Sequence, residues 1–108
     1  MKQTTPDKEK TKVVFRKFKD GDIVAMFPEL PAVSHDAWLC TVYAHQGQHG
    51  SGDPHLINRT ALATSTEYAL LKRELESIGY NLTVLSRFPA GSHAVRRAAL
   101  NEQRKVVS

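Results

Sequence analysis

Hydrophobic and polar positions alternate along the first part of the chain and recur at helical spacing later on. From Val13 to Phe18, Val14, Arg16 and Phe18 share one face and Val13, Phe15 and Lys17 the other, the period-two pattern of a strand. Lys19-Asp20-Gly21-Asp22 follows. Asp-Gly between two such runs predicts a hairpin, because glycine takes positive φ without steric cost. Ile23 to Phe27 reads as the returning strand, stopped by Pro28, which has no N–H to give a ladder. Residues 29–36 read as a connection. Trp38 to Ala44 is the third strand, rich in residues that suit a pleated surface.

The helix comes next. Thr64 is followed three residues later by Glu67, a capping box in which the hydroxyl accepts from the Glu67 N–H and the carboxylate reaches back. Tyr68, Leu71, Leu75 and Ile78 then recur at helical spacing, with Lys72 and Glu76 as a water-facing pair and Gly79 as a left-handed stop. Leu56 to Ala63 fits either a short strand or an apolar plug. Tyr80 to Phe88 is the last strand, with Leu82, Val84, Ser86 and Phe88 on one face.

The resulting expectation is an α+β fold, β-β-β-α-β: an antiparallel sheet of three to four strands with one helix packed on one face. Residues 1–11 read as a disordered basic arm, 12–88 as the single folded domain, and 89–108 as a basic tail that is either a short amphipathic helix or unfolded until a partner arrives. Val13, Val14, Phe15 and Phe18, or Ile23, Val24, Met26 and Phe27, put apolar groups on both faces of their strands. One helix covers one face, so something must cover the other; a second copy of the chain, giving a homodimer, is the expected solution.

Composition alters this picture little. At 108 residues the chain is one domain, and no apolar run is long enough to span a membrane. Met1 to Thr11 lacks the apolar centre of a secretory signal, and the single Cys40 excludes an internal disulfide and any paired-cysteine metal motif. A cytoplasmic, reducing setting is expected. Charge is more informative. Residues 1–21 carry seven Lys and Arg against three Asp and Glu, and residues 87–108 carry five against one, around an acidic centre. Basic ends attract nucleic acid or another acidic partner. Arg96, Arg97, Arg104 and Lys105 are the nucleic-acid candidates, since Arg97 and Arg104 share a face if the tail is helical.

Candidate chemistry concentrates between Tyr43 and His55, where three histidines and three glycines fall within thirteen residues. His45, Gln48, His49, Ser51, Asp53 and His55 are the candidate partner- or ligand-binding residues of a loop. His45, His49 and His55, with Asp53, offer ligands for a divalent transition metal. However, Gly47, Gly50 and Gly52 make a helix here improbable, so no regular spacing brings the rings together. Successive glycine N–H groups also suit an anion, yet neither phosphate-binding glycine motif is present. His45 or His49 as base with Ser51 or Cys40 as nucleophile lacks an orienting acid, and Cys40 falls mid-strand. Against all of these stands a structural role, with glycines in tight turns, Asp53-Pro54 opening one, and histidines bonded to backbone. Trp38, Tyr43 and His45 offer rings for stacking on bases, but no RNA-binding signature accompanies them.

One resemblance bears on origin. Phe15-Arg16-Lys17-Phe18-Lys19-Asp20-Gly21-Asp22-Ile23-Val24-Ala25-Met26-Phe27-Pro28-Glu29, then Gly47-Gln48-His49-Gly50, then Ala63-Thr64, Glu67-Tyr68, Leu71, Glu74-Leu75 and Gly79-Tyr80, together resemble a group of small bacterial proteins of unknown function, often from phages or other mobile elements. The likeness covers about residues 12–88. It implies a bacterial or phage origin and a free-standing domain, and no catalytic residue. The expected function is a non-enzymatic accessory protein that binds a partner, protein or nucleic acid, through the loop and the basic ends, with no cofactor. The alternatives are a nucleic-acid binder driven by its termini and a metal-dependent enzyme built on His45, His49 and His55.

Overall fold

A computed structural model describes the backbone of residues 10–44 and 48–107, and side chains as far as residue 103. Six strands and two α-helices follow one another: β1 (Thr11–Lys17), β2 (Ile23–Val33), β3 (Asp36–Ala44), β4 (Gln48–Gly52), a 3₁₀ turn (Pro54–Arg59), β5 (Ala61–Leu62), α1 (Ser65–Ser77), β6 (Leu82–Leu85) and α2 (Ser92–Val107). The class is α+β, but the sheet is larger than the three or four strands expected. Its order is β4-β3-β2-β1-β5, and β6 also pairs with β1. Most pairs are antiparallel; β6 runs parallel to β1, with Thr11 opposite Leu82 and Val14 opposite Leu85.

The Asp-Gly hairpin forms as its residues dictate. Lys17 faces Ile23 across the ladder, and Gly21 takes φ +97°. Asp20 Oδ1 accepts from the Asp22 N–H at 3.0 Å, which ties the turn together. Pro28 does not end β2. Phe27 lies opposite Thr41 and the next pair is Pro31 with Cys40, so the residues between them bulge out of the ladder. A bulged residue owes no N–H to a neighbour, which is why proline is tolerated there. The expected connection 29–36 is thereby reduced to the turn between Val33 and Asp36.

Strict alternation sorts the core into two clusters. Val13, Phe15, Ala25, Phe27 and Tyr43 lie with Leu71 and Leu75 of α1 on one side. Val24, Met26 and Cys40 lie on the other, with Phe18, Val42, Leu56 and Phe88 packed against them. Three or more consecutive residues are therefore buried in β1 and β2, as expected for strands covered on both faces. Each large apolar side chain so buried contributes roughly 2 kcal/mol from the surface it removes from water.

The second face is closed by the chain itself. α2 packs against β2 and β3, burying Ser92, Arg96 and Leu100 at four-residue spacing. Val14, Met26 and Cys40 are all fully buried within one copy. The need that suggested a homodimer is thus met internally, and residues 92–100 belong to the packed domain rather than to a free tail.

α1 begins and ends as its sequence specifies. Thr64 Oγ1 accepts from the Glu67 N–H while the Thr64 N–H donates to Glu67 Oε1. At the other end Tyr80 N–H reaches the Leu75 carbonyl and Gly79 N–H the Glu76 carbonyl, with Gly79 at φ +113°. That pair of bonds closes the last turn. Tyr80 to Phe88 is shorter as a strand than expected, only Leu82–Leu85. No helix among the described residues is long and apolar enough to cross a membrane.

Candidate functional site

Much of the expected loop is strand. Residues 48–52 form β4, at the edge of the sheet, with Tyr43 opposite His49 and Cys40 opposite Gly52. The glycines have a packing reason. A Cβ on Gly52 would sit 2.5 Å from a Val42 methyl, so only glycine lets β4 approach β3 there. His45, Gln46 and Gly47, where the β3–β4 connection lies, fall outside the described residues.

Asp53 organises the turn after β4. Its Oδ1 accepts from the His55 N–H at 2.8 Å and caps the 3₁₀ turn, with Pro54 in the first position, where a missing N–H costs nothing. The same oxygen accepts from the Trp38 indole N–H at 3.0 Å. Those donors, the backbone N–H of His55 first, hold the Asp53 carboxyl below the usual carboxylate range. Trp38 itself enters β3 through a second such device, its N–H donating to Asp36 Oδ1.

Two imidazoles meet the indole edge-on. His55 lies with ring centroids 5.2 Å from Trp38, and His93 of α2 lies 5.8 Å away. Trp38 keeps 38% of its surface exposed. The structure therefore presents a large amphipathic ring at the surface, fixed by one hydrogen bond and flanked by two histidines from distant segments. Sequence reasoning offered Trp38 as a ring for stacking and named Asp53 and His55 as candidates. It missed His93, which no local pattern connects to residue 38.

His49 belongs to a different place. Its Nε2 is 2.8 Å from the Tyr80 hydroxyl, and its ring meets Tyr43 edge-on at 4.8 Å. Tyr43 in turn donates to Glu74 of α1, and that bond pushes the phenol's pKa upward. His49 is thus on the α1 side of the sheet, while Trp38, which meets both His55 and His93 of α2, is on the other side. Of the histidines proposed as metal ligands, His49 and His55 have separate partners and His45 lies outside the described residues; among the described residues no three His, Cys, Asp or Glu side chains could hold an ion.

The catalytic candidates fare no better. Burial pushes the Cys40 thiol up to about 11, so it stays protonated at neutral pH and is a poor nucleophile. Ser51 and Gln48 are exposed on β4, and among the described residues no hydrogen bond joins Ser51 to a base.

Of the nucleic-acid candidates, Arg96 is only 1% exposed. Its guanidinium donates to the carbonyls of Ala37 at 2.8 Å, Trp38 at 3.2 Å and Pro28. Burial draws its pKa down, but a guanidinium spanning three carbonyls keeps its charge. It anchors the helix and cannot reach a phosphate. Arg97, its neighbour, is exposed on α2. The side chains of Arg104 and Lys105 lie outside the described residues. No protein-family model, curated protein or solved structure matches this chain.

Proposed function

We propose that this chain is a non-enzymatic binding protein, an accessory factor of a bacterium or mobile element working in the cytoplasm, and that its contact surface centres on Trp38. The observation that carries this reading is the fixed, half-exposed indole between His55 and His93, with Asp53 holding its N–H. A tryptophan ordered before binding loses little conformational entropy when a partner covers it, and such rings dominate the energetics of protein interfaces. Asp53, His55 and His93 supply a polar rim. The partner that fits is a protein with an apolar pocket for the ring.

Affinity capture from a bacterial lysate tests this, with Trp38→Ala beside the wild type and Leu70→Ala as an exposed control on α1. A discrete partner retained by wild type and control, and lost with Trp38→Ala at unchanged melting temperature, is expected. Sedimentation of the purified chain adds whether a second copy is that partner. Identical capture by all three proteins removes the proposal.

A further inference from the structure

An open groove runs between the β1–β2 turn and the 3₁₀ turn, lined by residues other than those around Trp38. Its volume is about 900 Å³, within reach of a drug-sized ligand. Phe18 and Leu56 form an apolar floor continuous with the second core cluster. Lys17, Lys19 and Arg59 line the rim together with Asn58, against one acidic side chain, Asp20.

Both walls are held before any ligand arrives. Arg16 donates from Nε to Thr60 Oγ1 at 3.0 Å, and from Nη2 to the carbonyls of Ile57 and Thr60 at 2.9 and 2.7 Å. Those three bonds clamp the end of the 3₁₀ turn, and Thr60 Oγ1 closes it further onto the Leu56 carbonyl. The opposite wall is the hairpin turn, fixed by Phe18 N–H to the Asp22 carbonyl and Gly21 N–H to the Phe18 carbonyl. A groove with rigid walls spends little binding energy on ordering itself.

The charges are unevenly committed. Lys17 is paired with Glu67 at 2.5 Å. Asp20 turns its Oδ1 to the Asp22 N–H. Lys19 and Arg59 are exposed, and among the described residues neither has a carboxylate within ion-pair distance. Two cations without an ion pair, one of them a planar guanidinium suited to phosphate, therefore line one groove with an aromatic and an aliphatic side chain; Arg59 also feels the Asp53 carboxylate, whose pKa it helps to lower. Asn58 adds an amide that both donates and accepts.

We infer that this groove binds a nucleotide unit, free or within a single strand, with its phosphate at Lys19 and Arg59 and its base against Phe18. Aromatic floors with basic rims accept bases irrespective of sequence, because every base has a π-face. No lining residue is shared with the Trp38 surface, and the Trp38→Ala capture above does not alter the groove, so failure here leaves the binding proposal untouched.

The test measures binding of three probes to the full chain: ADP, a fluorescein-labelled twelve-residue oligothymidylate, and a hexaglutamate peptide. A Lys19→Glu/Arg59→Glu variant is compared with Arg73→Glu/Arg87→Glu, which makes the same charge change elsewhere on exposed positions. The groove variant should weaken binding of the nucleotide probes about tenfold or more, and flatten the salt dependence of the oligonucleotide by about one unit per lost phosphate contact. The control should stay within about twofold of wild type. Thermal melts confirm that both variants fold. Binding of ADP assigns the site to a free nucleotide, and binding of the oligonucleotide alone assigns it to a strand. Equal losses in the two variants, hexaglutamate binding as tightly as the nucleotide probes, or no binding of either nucleotide probe would each overturn the inference.

Discussion

The guanidinium of Arg96 and the carbonyl of Pro28 are hydrogen-bonded across 68 residues of sequence. The bulge in β2 that accommodates Pro28 turns that carbonyl away from the ladder, and α2 uses it. Replacing Arg96 by methionine keeps much of the volume but leaves the carbonyls of Pro28, Ala37 and Trp38 without this donor. Arg96→Met should destabilise the fold by about 2–3 kcal/mol. Lysine should rescue little of that, since an ammonium cannot span the three acceptors. Urea unfolding followed by circular dichroism reads both.

A tighter test of packing lies where β4 crosses β3. Because a Cβ on Gly52 would meet a Val42 methyl at 2.5 Å, Gly52→Ala should cost about 1–3 kcal/mol. Val42→Ala alone should also destabilise, by loss of apolar contact. The two together should cost less than their sum, as coupled neighbours do. Additive melting temperatures would show that the strands can slide apart instead.

At the end of α1, Gly79→Val should cost about 1 kcal/mol or more. Gly79 takes φ +113°, and nothing lies within 4 Å of where a Cβ would stand, so the penalty is one of backbone conformation and not of crowding. An unchanged thermal melt would contradict it.

Acid should loosen two caps at once. Asp53 is held low first by the His55 N–H and then by the Trp38 indole; Glu67 is held low by Lys17 and by the Thr64 N–H. A carboxylate with a depressed folded pKa stabilises the fold above its unfolded value, about 4, and that contribution is lost as the pH falls through the folded value. The part of the Trp38 emission change that depends on Asp53 should therefore lie below about pH 4. In Asp53→Asn, which does not ionise, that part should disappear. A midpoint above the ordinary aspartate range would reverse the assignment.

Local signals carried the local structure. Asp20-Gly21, the Thr64–Glu67 capping box and Gly79 each act within a few residues, and each sits where its chemistry placed it. Pro28 misled because a proline stops a ladder only where the ladder needs its N–H, and a bulge removes that need. Residues 48–52 read as loop because glycines imply turns; the reason for Gly52 is a contact with Val42, which appears only once β3 and β4 are paired. The parallel pairing of β6 with β1 leaves no short-range trace. For the site, Trp38, Asp53 and His55 were legible as candidates, but His93 comes from a segment that reads as tail. Arg96 reads as a solvated arginine until its three carbonyls are seen.

The place of β1 has a consequence for how the molecule comes together. β1 can find β2 once the chain has turned at Gly21, yet its parallel neighbour arrives only after β3, β4 and α1 have been made. During synthesis the half-sheet must wait with Met26 and Cys40 uncovered until α2 emerges to seal them. Pulsed hydrogen exchange during refolding should accordingly protect the β1–β2 amides first and those of α2 last. The interval between them is when this chain is most open to self-association or to a chaperone.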